Sequence, residues 1–133
     1  MTRTLPLVVL SLSALLALGC VAHPIQGRED PYLKNPDQLS FTENNLRRET
    51  AVGTPVVARD NFGLLFVTVP IRSARNLQLF IDYRVTFYDE SRQVVGQTGW
   101  MSKVLAPNVF DQVSVNSTTP RAADFVVEFR YSR

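Results

Sequence analysis

The chain has 133 residues, 45% of them hydrophobic, with 14 lysines and arginines against 12 aspartates and glutamates, one cysteine and one histidine. A single cysteine rules out an internal disulfide, so the fold is held by apolar burial alone. A single histidine, His23, rules out multi-histidine metal and blue-copper centres, and the formal charge of +2 is scattered, with no basic cluster beyond Arg47-Arg48 to suggest a nucleic-acid partner.

Arg3 precedes an apolar run from Leu5 to Leu18, shorter than the ~20 residues that span a bilayer and of signal-peptide length. It closes on Ala17-Leu18-Gly19-Cys20, which resembles the lipobox of bacterial lipoproteins, where a small residue before the cysteine admits the signal peptidase and the thiol accepts a diacylglycerol. An ordinary secretory signal would leave Cys20 as an unpaired thiol in an exported protein, which lipidation explains more simply. Residues 1–19 are thus expected to be a lipoprotein signal peptide and Cys20 the lipidated first residue of the mature chain. The resemblance also implies release to the outer membrane, because Val21 rather than aspartate follows the cysteine, with the domain in the periplasm.

Residues 20–40 read as a tether, broken by His23-Pro24, Gly27 to Pro31 and Asn35-Pro36-Asp37. Fully extended, its ~20 residues reach at most ~65–70 Å. Ser40-Phe41-Thr42-Glu43 has the form of a capping box that would open a short helix through Leu46 and Arg47; a loop fits equally well. Residues 41–133 are taken as the folded domain.

From Thr50 the pattern is strand-like. Leu77, Leu79, Ile81, Tyr83, Val85 and Phe87 share one face while Gln78, Asp82, Arg84 and Thr86 share the other, which assigns Arg84 to solvent. Leu65, Val67, Val69 and Ile71 alternate in the same way, as do Phe125, Val127, Phe129 and Tyr131. Shorter strands are expected at Thr54 to Ala58, at Gln93 to Val104 with a break at Gly99, and at Val109 to Val115. Six or seven strands separated by turns at residues 60–63, 75–76, 89–92, 106–108 and 119–120 imply an all-β, immunoglobulin-like antiparallel β-sandwich. Pro70 lacks a donor and is expected on an edge strand or at a bulge. Parity leaves open whether strands 64–72 and 77–88 form a hairpin or cross between sheets.

The run Gly63 to Ser73, then Ile81-Asp-Tyr-Arg-Val-Thr-Phe-Tyr-Asp89, Thr98-Gly-Trp100 and Leu105-Ala-Pro107, resembles the YcfL-like family of small bacterial lipoproteins over roughly Leu46 to Arg133. The resemblance implies a lipid-anchored β-sandwich in the cell envelope, without assigning a molecular function. Family members usually place a glycine in the turn after the aspartate, where this chain has Glu90-Ser91-Arg92-Gln93. That turn is expected to be longer, or of type I, which accepts Asp and Ser without positive φ.

Candidate chemistry is sparse. Asp89-Glu90 falls at a turn, where aspartate serves backbone hydrogen bonding; a carboxylate pair made with Asp82 or Asp111 is the one catalytic arrangement to test. Asn116-Ser117-Thr118 matches a glycosylation acceptor but reads as a polar turn before Pro120, and Trp100 reads as a cover for the end of the core. The sequence has no metal-spaced Cys/His group and no glycine-rich phosphate loop, so neither metal nor cofactor is expected. The leading expectation is a non-catalytic envelope module that reaches the membrane through Cys20 and binds a protein or supports an assembly. A small enzyme acting on glycan or peptide through carboxylates is the alternative. Phe66, Phe80 and Tyr88 fall on the outward parity of their strands and are the candidate partner contacts.

Overall fold

In the computed structural model, residues 38–133 are described; the signal segment, Cys20, His23 and the tether up to Asp37 lie outside them. The described chain runs β1 (Leu39–Phe41), α1 (Asn44–Glu49), β2 (Thr50–Val52), β3 (Val56–Arg59), β4 (Leu65–Ser73), β5 (Leu79–Tyr88), β6 (Val94–Gln97), β7 (Met101–Leu105), β8 (Asp111–Asn116) and β9 (Asp124–Tyr131). Two sheets pack as an all-β sandwich, as the alternation implied. One sheet places β9 and β5 at its centre, with β1 beside β9 and with β6 and β7 both along the far side of β5. The other centres on β4, with β8 on one side and β2 and β3 on the other.

The core is the set of residues that the period of two puts inward: Leu65, Val67, Val69 and Ile71 from β4; Leu79, Ile81, Val85 and Phe87 from β5; Phe125, Val127 and Phe129 from β9. Leu77, by contrast, precedes its strand and is exposed. The strands at 64–72 and 77–88 cross between sheets rather than forming a hairpin. Ser73 makes the crossing feasible, because its buried hydroxyl donates to the carbonyls of Arg75 and Leu77 and accepts from the Arg75 amide.

Three expectations are revised. The short helix exists but begins later than a capping box at Ser40 requires: Ser40 lies in β1, Glu43 occupies the N-cap without a side-chain bond, and Leu46 anchors the helix in the core at no exposure. β1 pairs in parallel with β9, Leu39 opposite Val127, so sheet structure starts two residues inside the segment read as tether, and the sandwich is not wholly antiparallel. Pro70 sits in the central strand of its sheet, not on an edge. Gly53 donates to the Pro70 carbonyl at 2.8 Å, so the side of Pro70 that lacks an N–H faces residues 53–55, where the ladder between β2 and β3 is interrupted. A Cβ on Gly53 would stand 3.1 Å from Pro70 Cβ, so this close approach selects glycine.

The hairpin after β5 is the longer turn expected: the Arg92 amide donates to the Asp89 carbonyl across Glu90 and Ser91, neither of which has positive φ, and Asp89 caps the loop by accepting from the amides of Ser91 and Gln93. Arg92, which follows, departs from the expectation: it adopts φ 61°, the left-handed conformation that glycine would take without steric cost. The polar turn at Asn116-Ser117-Thr118 is as expected, with the buried Ser117 hydroxyl bridging the Leu65 amide and the Thr119 carbonyl. Arg59 locks the same end by donating to the carbonyls of Gly63, Pro120 and Ala122.

Candidate functional site

The outward face of the β9–β5–β7 sheet carries a connected network of ion pairs and hydrogen bonds. Register sets Asp82 of β5 opposite Arg130 of β9, and Arg84 opposite Glu128, so acid meets base in both cross-strand pairs and the sign alternates along each strand. Arg84 Nε reaches Glu128 Oε2 at 2.7 Å, and Arg130 contacts Asp82 Oδ2 through Nη2 at 3.2 Å and Nε at 3.3 Å. The remaining oxygen of Asp82 accepts from Ser102 and Ser132, each at 2.8 Å. With both oxygens bonded and only 5% of its surface exposed, Asp82 is a closed anion site.

Trp100 completes this face. Between Gln97, opposite Thr86, and Met101, opposite Tyr83, three residues stand against two on β5, forming a bulge. Thr98 stabilises the bulge: its hydroxyl accepts from the Val85 amide and its own amide donates to the Val85 carbonyl. Trp100 leaves the bulge outward, with its ring centroid 4.6 Å from the Arg84 guanidinium carbon and 3.9 Å from that of Arg130. It packs on cations instead of covering the core, and Arg84 is held by Glu128 and Trp100 rather than pointing free into solvent. The sequence held a signal for this: Asp-x-Arg on one strand and Glu-x-Arg on another become complementary when the strands run antiparallel.

The electrostatics follow from these contacts. Bonds from Ser102 and Ser132, followed by the Arg130 guanidinium, hold the Asp82 carboxyl below the usual range, while the bond to Glu128 raises Arg84. Turn amides and Arg121 lower Asp89, and Lys103 lowers Asp111. At the end of β9 the Tyr131 phenol, desolvated and donating to Glu49 at 2.7 Å, is pushed up to about 12.

The three aromatic candidates are not brought together. Phe66 lies on the outer face of the opposite sheet, 37% exposed. Phe80, 57% exposed, and the half-buried Tyr88 lie at the two ends of β5, eight residues or ~27 Å apart. Phe80 has a neighbour the sequence reading did not include: Val104 of β7, directly opposite it and also exposed. Phe80 and Val104 continue the Trp100 face along the same two strands. Asp82 and Asp89, seven residues apart on β5 and its turn, are separated by ~24 Å, against the ~5–9.5 Å of paired glycosidase carboxylates. Asp111 lies beyond β7 from Asp82, since Ser102 bonds Asp82 while its neighbour Lys103 bonds Asp111 at 2.7 Å. Among the described residues no group of three or more His, Cys, Asp or Glu side chains is placed to hold a metal ion.

No family model and no curated protein matches the chain. Among solved structures it is similar to the crystal structure of Campylobacter jejuni cj0090, with a TM-score of 0.62 and 17% identity over 71% of this chain and 98% of that one. It is also similar to the crystal structure of a DUF1425 family member from Shewanella sp. pv-4, with a TM-score of 0.58 and 21% identity over 63% of this chain and 79% of that one. Both neighbours are bacterial, and neither is named for an activity. At these identities the likeness shows the shared sandwich fold.

Proposed function

We propose that this chain is a lipid-anchored, non-catalytic module of the cell envelope, of the YcfL-like kind, held to the outer membrane by lipid on Cys20. On this reading the sandwich stands in the periplasm and binds a protein, or supports an assembly, through the face that carries Phe80, Val104 and Trp100. The observation that carries the binding part is the Trp100 platform: an aromatic ring against two arginines, residue types enriched at binding hot spots, on the same face that exposes Phe80 and Val104 further along the strands. The lipobox-like Ala17-Leu18-Gly19-Cys20 supports the anchor, since several acyl chains at ~0.8 kcal/mol per buried methylene make attachment effectively permanent.

The carboxylate-enzyme alternative has less support. A general acid needs a pKa raised toward the working pH, whereas Asp82, Asp89 and Asp111 are each lowered and each engaged by a cation. Labelling with a fatty acid tests the anchor: the wild-type chain incorporates label and fractionates with membranes, and Cys20→Ala does neither. Label retained by Cys20→Ala, or a wild-type chain without label in the soluble fraction, would remove the anchor from this account.

A further inference from the structure

The two sheets present four edges, and three are protected in the ways that prevent strand addition. β1 is three residues long. The β2/β3 edge is interrupted at residues 53–55, and Arg59 turns its guanidinium to the carbonyls of the sandwich end. The β6/β7 edge is bulged at Thr98 to Trp100 and again opposite Phe87/Tyr88, and Lys103 folds across to Asp111. β8 is different: it pairs with β4 over six consecutive residues with no register shift, and from Gln112 to Asn116 it has no charge and no proline.

The main-chain groups on the free side of β8 are identifiable. In an antiparallel pair the N–H and C=O of one residue point to the same side. Pro70 accepts from Gly53, so it faces β2 and β3, and Phe66 and Thr68 share that direction; Leu65 accepts from Ser117, so the odd residues of β4 face β8. The odd residues of β8 therefore bond to β4, while Gln112, Ser114 and Asn116 point their amides and carbonyls outward. Asp111 Oδ1 takes the Gln112 amide at 2.7 Å. Among the described residues no strand meets the Gln112 carbonyl or either group of Ser114 and Asn116.

We infer that β8 is the docking edge for a second copy of this chain, whose β8 adds antiparallel about a two-fold axis at Ser114. In that register the two Ser114 residues exchange both main-chain bonds, and each Asn116 amide meets the partner's Gln112 carbonyl. Four bonds form without displacing anything. Val113 falls opposite Val115 on the inner side, Gln112 opposite Asn116 and Ser114 opposite Ser114 on the outer side, so no like charges meet. The same patch serves both copies, which closes the assembly at two. One strand edge is a smaller interface than the ~1,200–2,000 Å² of stable complexes, so pairing requires chains at high local concentration. Attachment through Cys20 would supply that concentration in the cell, so there the pairing rests on the proposed anchor, whereas the purified chain reaches it by concentration alone.

Disulfide trapping tests it. The full chain, purified in mild detergent with Cys20→Ala so that the introduced thiol is the only one, is oxidised at about 1 mM, the effective concentration that short tethering supplies. Paired Ser114 residues would have Cα atoms ~5.5 Å apart, inside the 4.4–6.8 Å of disulfides, whereas the two Asn116 residues would be offset by four positions, ~14 Å. Ser114→Cys is therefore expected to give covalent dimer as its main product, with Asn116→Cys remaining monomeric. Mixing Gln112→Cys with Asn116→Cys chains is expected to link one of each, a readout that survives if Ser114→Cys fails to fold. Dimer formed equally at 114 and 116, no dimer at 114 with the mixed pair also unlinked, or linkage of Ser114→Cys in cell extract only to a different protein would overturn the inference.

Discussion

Replacing Trp100 by alanine and Arg130 by methionine, singly and together, isolates the contact on which the candidate face is built. The Arg130 guanidinium carbon stands 3.9 Å from the ring centroid, and its side chain is 20% exposed. A cation on a ring contributes ~0.5–1 kcal/mol at the surface and up to ~2 kcal/mol when desolvated, so a partly covered pair should couple by about 1 kcal/mol. Trp100→Ala alone also loses the Arg84 contact and the burial of the ring, giving a loss of about 2 kcal/mol. For a domain of about 100 residues this lowers the Tm by ~8–15 °C. Methionine at 130 keeps an unbranched apolar stem, and the loss to Asp82 occurs in both backgrounds and cancels in the cycle. Urea unfolding followed by far-UV circular dichroism gives the four stabilities. A coupling inside the ~0.3–0.5 kcal/mol scatter of independent sites would refute the reasoning, because Trp100 would then rest beside Arg130 without interacting.

Arg92→Gly should raise stability by about 1 kcal/mol, measured by thermal melting, because Arg92 holds φ 61° in the β5–β6 turn; an unchanged or lower Tm would contradict that turn geometry. Asp82, Asp89 and Asp111 are all lowered in the fold, so the stability they contribute is present above the unfolded carboxylate pKa of ~3.9 and lost as pH falls through their folded values. Melting temperature should hold from about pH 7 to 5 and drop below about 4. Tyr131 has the opposite sign: raised to about 12, it contributes stability below the unfolded value of ~10 that is lost as pH rises toward 12. Phe80→Ser with Val104→Ser should leave melting within ~0.5 kcal/mol of wild type and abolish capture of envelope proteins by the immobilised chain, and unchanged capture would move the binding face elsewhere.

The strands with one buried face were legible because a period of two over Leu65 to Ile71, Leu79 to Phe87 and Phe125 to Tyr131 has no helical reading. The sheet to which each strand belongs was not, since inward residues keep the same parity in either sheet; that choice rests on the crossing after Ser73 and the pairing of β5 with β9. Pro70 misled because its missing donor matters only on one side, and the neighbour on that side is interrupted at the same level. The charged face was half legible. Asp82 and Arg84 stood out as the polar parity of β5, but their burial depends on Ser102 of β7, Trp100 of the bulge before it and Ser132 just after β9. Phe66 was set apart by information that sequence lacks, since parity says outward without saying from which sheet; Phe80 and Tyr88 share β5, and their spacing along one strand already keeps them ~27 Å apart.

Attachment through Cys20 is tested most directly by mass spectrometry of the mature N-terminus. The expected result is a chain beginning at Cys20 with a diacylglycerol thioether on its sulfur, recovered from the outer membrane. A mature chain that begins elsewhere, or one that retains Cys20 as a free thiol, would contradict it.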